Sequence, residues 1–266
     1  MKKTISEPSS PLAQPYLREM REAEVSPWTE VLSAAELLLL RATPVYYGFG
    51  VPKGDRSGVV IIPGFLGTDM YLVELNAWLR RIGYQPYFSG IGINAECPNL
   101  LIRRRLTETI DKARKETRRK IHLIGHSLGG IIARAVAHQR PDDVASVITL
   151  GSPFRGAVAH GNILRAAESI RRKIKEEHGP NVLPACYTGH CTCDFVESVR
   201  CQTPLSVAST AIYTRNDGVV DWHYCITGDP DVDCEVAATH MGLAFNASVY
   251  TKIAERLAMA RPARKQ

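Results

Sequence analysis

The sequence predicts an α/β fold, with a mostly parallel central sheet, helices on both faces and one helical insertion. Three observations carry this. Short apolar runs alternate with segments whose apolar residues recur every three or four positions, the signature of strands joined by helices. Runs such as Val59–Ile62 are apolar throughout and read as buried strands. The rhythm breaks once, across residues 153–206, a connection too long for plain loop. Crossovers between parallel strands are expected to be right-handed.

Taken in order, residues 1–26 are polar and proline-containing and are expected to form a loosely held arm. Pro27 to Arg41 predicts a helix, with Pro27 in the first turn after Ser26. Val45 to Phe49 reads as a strand and Pro52 to Gly58 as a turn. After the strand at 59–62, Leu72, Leu75, Leu79 and Ile82 mark a helix that Gly83 ends. Tyr84 to Phe88 is a strand interrupted by Pro86, followed by a basic helix across 103–120. Then come a strand at Ile121–Ile124, a helix from Leu128 to Gln139 and a strand at Val144–Leu150. Ala211–Thr214 and Glu235–Ala237 are short later strands, and Ala247–Ala260 closes the chain as a helix. Inside 153–206, Ile163, Ala167, Ile170 and Ile174 form one apolar stripe, ahead of a Cys-, Pro- and Gly-rich stretch. This insertion reads as a cap or lid, the alternative being an ordinary helix packed on the sheet with an irregular return. The division is therefore an arm and helix at 1–56, a core at 57–152 and 207–266, and the cap at 153–206.

The 266 residues, 45% of them hydrophobic, suit one large α/β domain. No run approaches the roughly 18–20 uncharged apolar residues of a membrane span. Met1-Lys2-Lys3 begins like a secretory leader, but Ser6 to Pro15 is polar where an apolar run belongs, so a cytoplasmic location is expected. The net charge of +6 is concentrated between Arg103 and Lys120. Ile102, Leu106, Ile110, Ala113 and Thr117 form a buried stripe there, so the charges are the wet face of one helix. Attraction to an anionic membrane surface is the alternative. No aromatic residues interleave with these charges, which argues against nucleic acid as a partner. The seven cysteines include Cys186, Cys191, Cys193 and Cys201, without paired C-x2-C knuckles, and the lone Cys97. Cys225 and Cys234 flank a turn-rich stretch that a disulfide could close, although a reducing cytosol opposes it.

Residues 121–130, Ile-His-Leu-Ile-Gly-His-Ser-Leu-Gly-Gly, carry most of the chemical information. An apolar run stops at Gly125, Ser127 follows, and a helical pattern begins beyond Gly129 and Gly130. This is the G-x-S-x-G arrangement of strand, sharp turn and helix, which presents a strained serine at a helix N-terminus. Glycines on either side remove Cβ atoms that would clash. A serine hydroxyl is a weak nucleophile until a base takes its proton, and a histidine oriented by a carboxylate does this near neutral pH. Downstream, Asp217 lies in Asn-Asp-Gly just past a strand, and His240 lies in Thr-His-Met-Gly-Leu past the next. Asp221 is a competing acid. His126, His160, His190 and His223 are competing histidines, although His126 would point away from a formed elbow. Oxyanion donors are expected from the backbone N–H of Leu128 and of Phe65, in the loop Pro63-Gly-Phe-Leu-Gly-Thr-Asp.

Together these segments resemble the α/β-hydrolase superfamily and, within it, bacterial lipases and esterases of the triacylglycerol lipase type. Residues 63–69 are similar to their oxyanion segment, 125–130 to their elbow, and 216–220 and 239–243 to their acid and histidine segments. Pro63 departs from the usual histidine, so the support of that loop must differ. The family's calcium site finds no clear ligand set here. The resemblance covers about residues 57 to 257 and implies a cofactor-independent serine ester hydrolase without a metal. Ser127, Asp217 and His240 would form the triad, with Phe65 and Leu128 as oxyanion donors and an ester or lipid as substrate. Membrane contact would be peripheral at most. An acyltransferase or amidase on the same triad is the alternative, followed by a non-catalytic binding module on the same fold.

Overall fold

The computed structural model describes residues 21–156, 158–179 and 191–260. Its centre is a six-stranded parallel sheet made of β1 (Gly58–Ile62), β2 (Gln85–Phe88), β3 (Ile121–His126), β4 (Val144–Leu150), β5 (Ala208–Tyr213) and β6 (Asp233–Glu235). The spatial order is β2-β1-β3-β4-β5-β6. The chain reverses its direction of travel across the sheet between β1 and β3. A crevice opens at the carboxyl ends of strands at such a point, and α/β sites form there. Pro86 is tolerated because β2 is an edge strand, where a missing N–H removes no ladder bond on the open side.

Among the described residues, seven α-helices longer than a single turn clothe the sheet: α1 (Ser33–Arg41), α2 (Val73–Arg81), α3 (Thr107–Thr117), α4 (Leu128–Gln139), α5 (Gly161–His178), α6 (Asp194–Arg200) and α7 (Ala247–Met259). Every residue of β1 is buried, and its side chains alternate between two cores. Val60 and Ile62 pack with Ile110 of α3, Ile132 and Val136 of α4, and Phe195 and Val199 of α6. Val59 and Ile61 pack with Leu75, Trp78 and Leu79 of α2 and with Tyr250, Ile253 and Leu257 of α7. Each such side chain contributes about 1.5–3 kcal/mol of burial, enough to set the register of the sheet.

The basic stretch behaves as its periodicity requires. Ile102, Leu106, Ile110 and Ala113 are buried, while Arg103, Arg104 and Arg105 face solvent. It is not one regular helix: Pro98–Leu101 leads through a π turn at Ile102–Leu106 into α3, and Arg118 in the left-handed region ends it. The expected strand at Val45–Phe49 is instead a 3-10 turn, Pro44–Tyr47, started by Pro44 and closed by Gly48 at φ 83°. Trp78 Nε1 donates to the Val45 carbonyl at 2.7 Å and pins that turn to α2. The expected helix at 27–41 is a 3-10 segment, Pro27–Leu32, continued by α1.

The N-terminal arm, expected to be loose, is held where it is described. Arg21–Glu22 pairs in parallel with Val158–Ala159, and Ala23 N–H donates to the Ala159 carbonyl. The long insertion divides in two. Phe195, Val196 and Val199 of α6 join the core beneath α4. Helix α5 instead packs Ile163 and Leu164 against Val220 and Cys225, and Ile174 against Cys97 and Leu100. It therefore spans from the loop after β5 to the loop after β2, along the carboxyl edge of the sheet. Cys225 and Cys234 are free thiols, so no disulfide closes 225–234; Cys191, Cys193 and Cys201 are also unbridged, and Cys186 lies outside the described residues. Among the described residues, no helix is long and apolar enough to cross a membrane.

Candidate active site

The elbow follows from local sterics. Ser127, between β3 and α4, has φ 53° and ψ −124°, a conformation that costs about 1–3 kcal/mol for a residue with a Cβ. A Cβ on Gly125 would lie 2.2 Å from the Gly129 carbonyl oxygen, and one on Gly129 would lie 2.3 Å from that of Ile62. The two glycines thus let the helix fold back onto β3 and against the end of β1. Ser127 is half-buried, and its N–H donates to the Leu150 carbonyl at 2.8 Å. Leu128 opens α4, where the geometry of a helix leaves backbone N–H groups without acceptors in the same helix.

The loop after β1 lies against the serine: a Cβ on Gly64 would be 3.1 Å from Ser127 Cβ. Pro63 offers no side-chain donor, and two residues supply the support instead. Gly64 N–H donates to the Tyr71 hydroxyl at 2.7 Å, and Asn94 Nδ2 donates to the Pro63 carbonyl at 2.8 Å. Leu66 N–H bonds the Asn94 carbonyl, and Asn94 N–H bonds that of Gly67. Asp69 accepts from Ser89 N–H, Ser89 Oγ and Gly90 N–H, which ties the loop to the end of β2. Phe65 is carried at the centre of this braced segment.

Loops after β5 and β6 bring Asp217 and His240 together. Asp217 Oδ2 and His240 Nδ1 are 2.7 Å apart, and both side chains are buried. The other oxygen, Oδ1, accepts from Val219 N–H at 2.9 Å and Val220 N–H at 2.8 Å, so the carboxylate is fixed in rotation. Burial opposes protonation of His240. The charge of Asp217, its hydrogen bond and the charge of Glu30 outweigh this and hold the imidazole pKa above its ordinary value. Asp221, the competing acid, is engaged elsewhere: its Oδ1 accepts from the N–H and Nδ1 of His223. His160 caps α5 by accepting from Asn162 N–H, and His190 lies outside the described residues.

His126 is buried, with its ring against Tyr71 and 4.8 Å from that of His240, and it has its own task. Gly64 N–H must donate, so the Tyr71 oxygen accepts from it and the Tyr71 proton goes to His126 Nδ1 at 2.9 Å. Nε2 then carries the ring proton and donates to the His240 carbonyl at 2.9 Å. Burial, and then the neighbouring charge of His240, push the His126 pKa down to about 3 and keep the ring neutral. A relay of three bonds therefore joins the loop carrying Phe65 to the backbone of His240.

Two further residues meet these loops from the N-terminal segment. Glu30 accepts from the N–H groups of Gly218, His240 and Met241. Glu36 accepts from Thr239 N–H and, at 2.6 Å, from Thr239 Oγ1. Neither Glu30, Glu36 nor Tyr71 stands in a motif. The local pattern signals only His126, by its place beside Ser127. Among the described residues, no group of three or more His, Cys, Asp or Glu side chains is placed to hold a metal ion.

A parallel sheet with its switch point beside a strained serine, and a paired aspartate and histidine on the last two strand-end loops, give the chain an α/β-hydrolase fold. The comparisons with known proteins agree. A PGAP1-like alpha/beta domain matches residues 94–186, from the loop after β2 through the elbow into the insertion. A triacylglycerol lipase from Burkholderia plantarii is 30% identical over 139 residues, 47% of this chain and 37% of that protein. One from Pseudarthrobacter phenanthrenivorans is 32% identical over 115 residues, 38% of this chain and 34% of that protein. The matches thus span little more than a third of those lipases. In three dimensions, a monoacylglycerol lipase from Paleococcus ferrophilus superposes with a TM-score of 0.53 at 16% identity, covering 79% of this chain and 97% of that one. A metagenome-derived lipolytic enzyme superposes at 0.50 with 17% identity, over 79% and 96% of the two chains.

Proposed function

We propose that this protein is a serine carboxylic-ester hydrolase that works through an acyl-enzyme. The observation that carries the proposal is the buried 2.7 Å contact between Asp217 and His240, delivered beside the elbow that holds Ser127. In this reading, Ser127 Oγ attacks the ester carbonyl carbon while its proton passes to His240 Nε2. Asp217, bonded to Nδ1, stabilises the imidazolium. The oxyanion is held by the backbone N–H groups of Phe65 and Leu128, each worth about 10²–10³ in rate. Collapse breaks the bond to the alkoxide, which leaves with the proton from His240. Water then attacks the acyl-enzyme with His240 again as base, which releases the carboxylic acid and restores Ser127.

The substrate class is an ester with an acyl chain that lies against α5, the helix along the carboxyl edge of the sheet. The likeness to triacylglycerol and monoacylglycerol lipases supports a lipid ester. Hydrolysis of p-nitrophenyl esters of increasing chain length by the wild type and Ser127→Ala tests the proposal. The wild type should be active and the variant should not; equal activity in both would overturn it.

A further inference from the structure

We infer that Glu30 is a positioning residue for catalysis: its carboxylate, reaching in from the N-terminal segment, sets the spacing between the loops that present Asp217 and His240. The inference rests on the ester-hydrolase reading above. Its ground is geometric. Glu30 Oε1 accepts from Gly218 N–H at 3.1 Å and from His240 N–H at 2.9 Å, and Oε2 accepts from Met241 N–H at 2.9 Å. Gly218 directly follows the acid, and His240 is the base. One planar group therefore fixes both backbones at once. Hydrogen bonds to an ionised acceptor are about twice as strong as neutral ones, so three of them outweigh the freedom of two short loops.

Glu36 continues the same clamp one residue earlier. Its Oε1 accepts from Thr239 N–H at 3.1 Å and its Oε2 from Thr239 Oγ1 at 2.6 Å, while Thr239 Oγ1 accepts from Gly242 N–H at 2.9 Å. A Cβ on Gly242 would fall 1.6 Å from Glu36 Oε2, so the space that a side chain at 242 would need is filled by this carboxylate. The strap that bears both glutamates is itself anchored where Arg21–Glu22 pairs with Val158–Ala159, at the root of the insertion. Residues 21–41 thus connect the insertion, the acid loop and the histidine loop, the three parts that must stay in register during acyl transfer.

The groups that face His240 are Asp217 at 2.7 Å, the neutral ring of His126 at 4.8 Å between centroids, Glu30 through the backbone, and Glu36 through Thr239. Glu30 adds negative charge near the imidazole and helps to raise its pKa. Removing that charge lowers the pKa, so the neutral base should persist to lower pH. A purely structural role for Glu30 would lower the thermal midpoint and leave kcat of the folded enzyme unchanged.

The test uses the full chain carrying Glu30→Gln or Glu30→Asp. Three quantities are read: kcat and KM on a p-nitrophenyl ester, the thermal midpoint, and the NMR titration of the His240 ring. Glu30→Gln leaves one acceptor oxygen for three N–H groups and turns its NH2 toward at least one of them. Its kcat should fall about 10²-fold, the scale of a misplacement near 1 Å, with KM little changed, and its His240 midpoint should move to lower pH. Glu30→Asp keeps the charge but is one methylene too short to span both loops, so it should keep the midpoint and lose kcat. Wild-type kcat in Glu30→Gln would overturn the inference. Should Glu30→Gln not fold, wild-type kcat in Glu30→Asp would overturn it equally. A wild type that hydrolyses no ester would instead overturn the ester-hydrolase reading, while the titration still reports on Glu30.

Discussion

Replacing Tyr71 by phenylalanine removes one oxygen atom and leaves two buried groups without partners. Gly64 N–H loses its 2.7 Å acceptor, and His126 Nδ1 loses its 2.9 Å donor. The histidine cannot recover by moving its proton to Nδ1, because Nε2 would then face the His240 carbonyl with a lone pair. Each orphaned group costs about 1–3 kcal/mol, so the fold should lose roughly 2–6 kcal/mol. Activity should suffer separately. Gly64 precedes Phe65, and a loop that no longer holds its N–H on target forfeits up to one oxyanion donor, about 10²–10³ in kcat. KM should change little, since the ground-state ester does not depend on that donor. Urea unfolding and steady-state hydrolysis of a p-nitrophenyl ester read both effects. Tyr87→Phe is the control: Tyr87 bonds Glu116 at the open edge of the sheet, so its loss should change stability by no more than about 0.5 kcal/mol. Wild-type kcat and an unshifted urea midpoint in Tyr71→Phe would refute the relay between the oxyanion loop and His240.

Further outcomes follow from the same geometry. Because His240 is held above its ordinary pKa, the acidic limb of kcat/KM should have its midpoint above about 6.5. Asp217→Asn should lower kcat about 10⁴-fold and move that limb to lower pH, since burial is then opposed by Glu30 alone. The linkage has the same sign: the protonated pair stabilises the fold below the unfolded imidazole pKa, and that contribution is lost as pH climbs through the folded value. Urea midpoints measured across this range check it. Asp221→Ala should keep activity close to wild type, because Asp221 serves His223 and the first turn of Trp222–Tyr224. The rate of this variant decides between the two acids.

What the sequence discloses about this site depends on how local the cause is. The elbow is legible because the clashes that Gly125 and Gly129 avoid are dictated by the turn itself, whatever the rest of the chain does. Asp217 and His240 are legible from chain order and from their places after strands. The 3-10 turn at Pro44–Tyr47 is misread because a short apolar run carries no decisive period, and the bond from Trp78 to Val45 spans 33 residues. The supports of the site are hidden for the same reason. Tyr71 reaches His126 across 55 positions, His126 reaches His240 across 114, and Glu30 reaches Gly218 and His240 across 188 and 210. No local pattern marks a residue whose partner is chosen by topology. The two-part character of 153–206 is likewise invisible until α6 is seen beneath α4 and α5 along the carboxyl edge.

The central claim is that Ser127 is a nucleophile activated by His240. The most direct measurement treats the wild type, Ser127→Ala and His240→Ala with a fluorophosphonate and maps the adduct by mass spectrometry. A single phosphonylated peptide containing Ser127 is expected in the wild type, none in Ser127→Ala, and much slower labelling in His240→Ala. Labelling at another residue, or equal rates with and without His240, would contradict the claim.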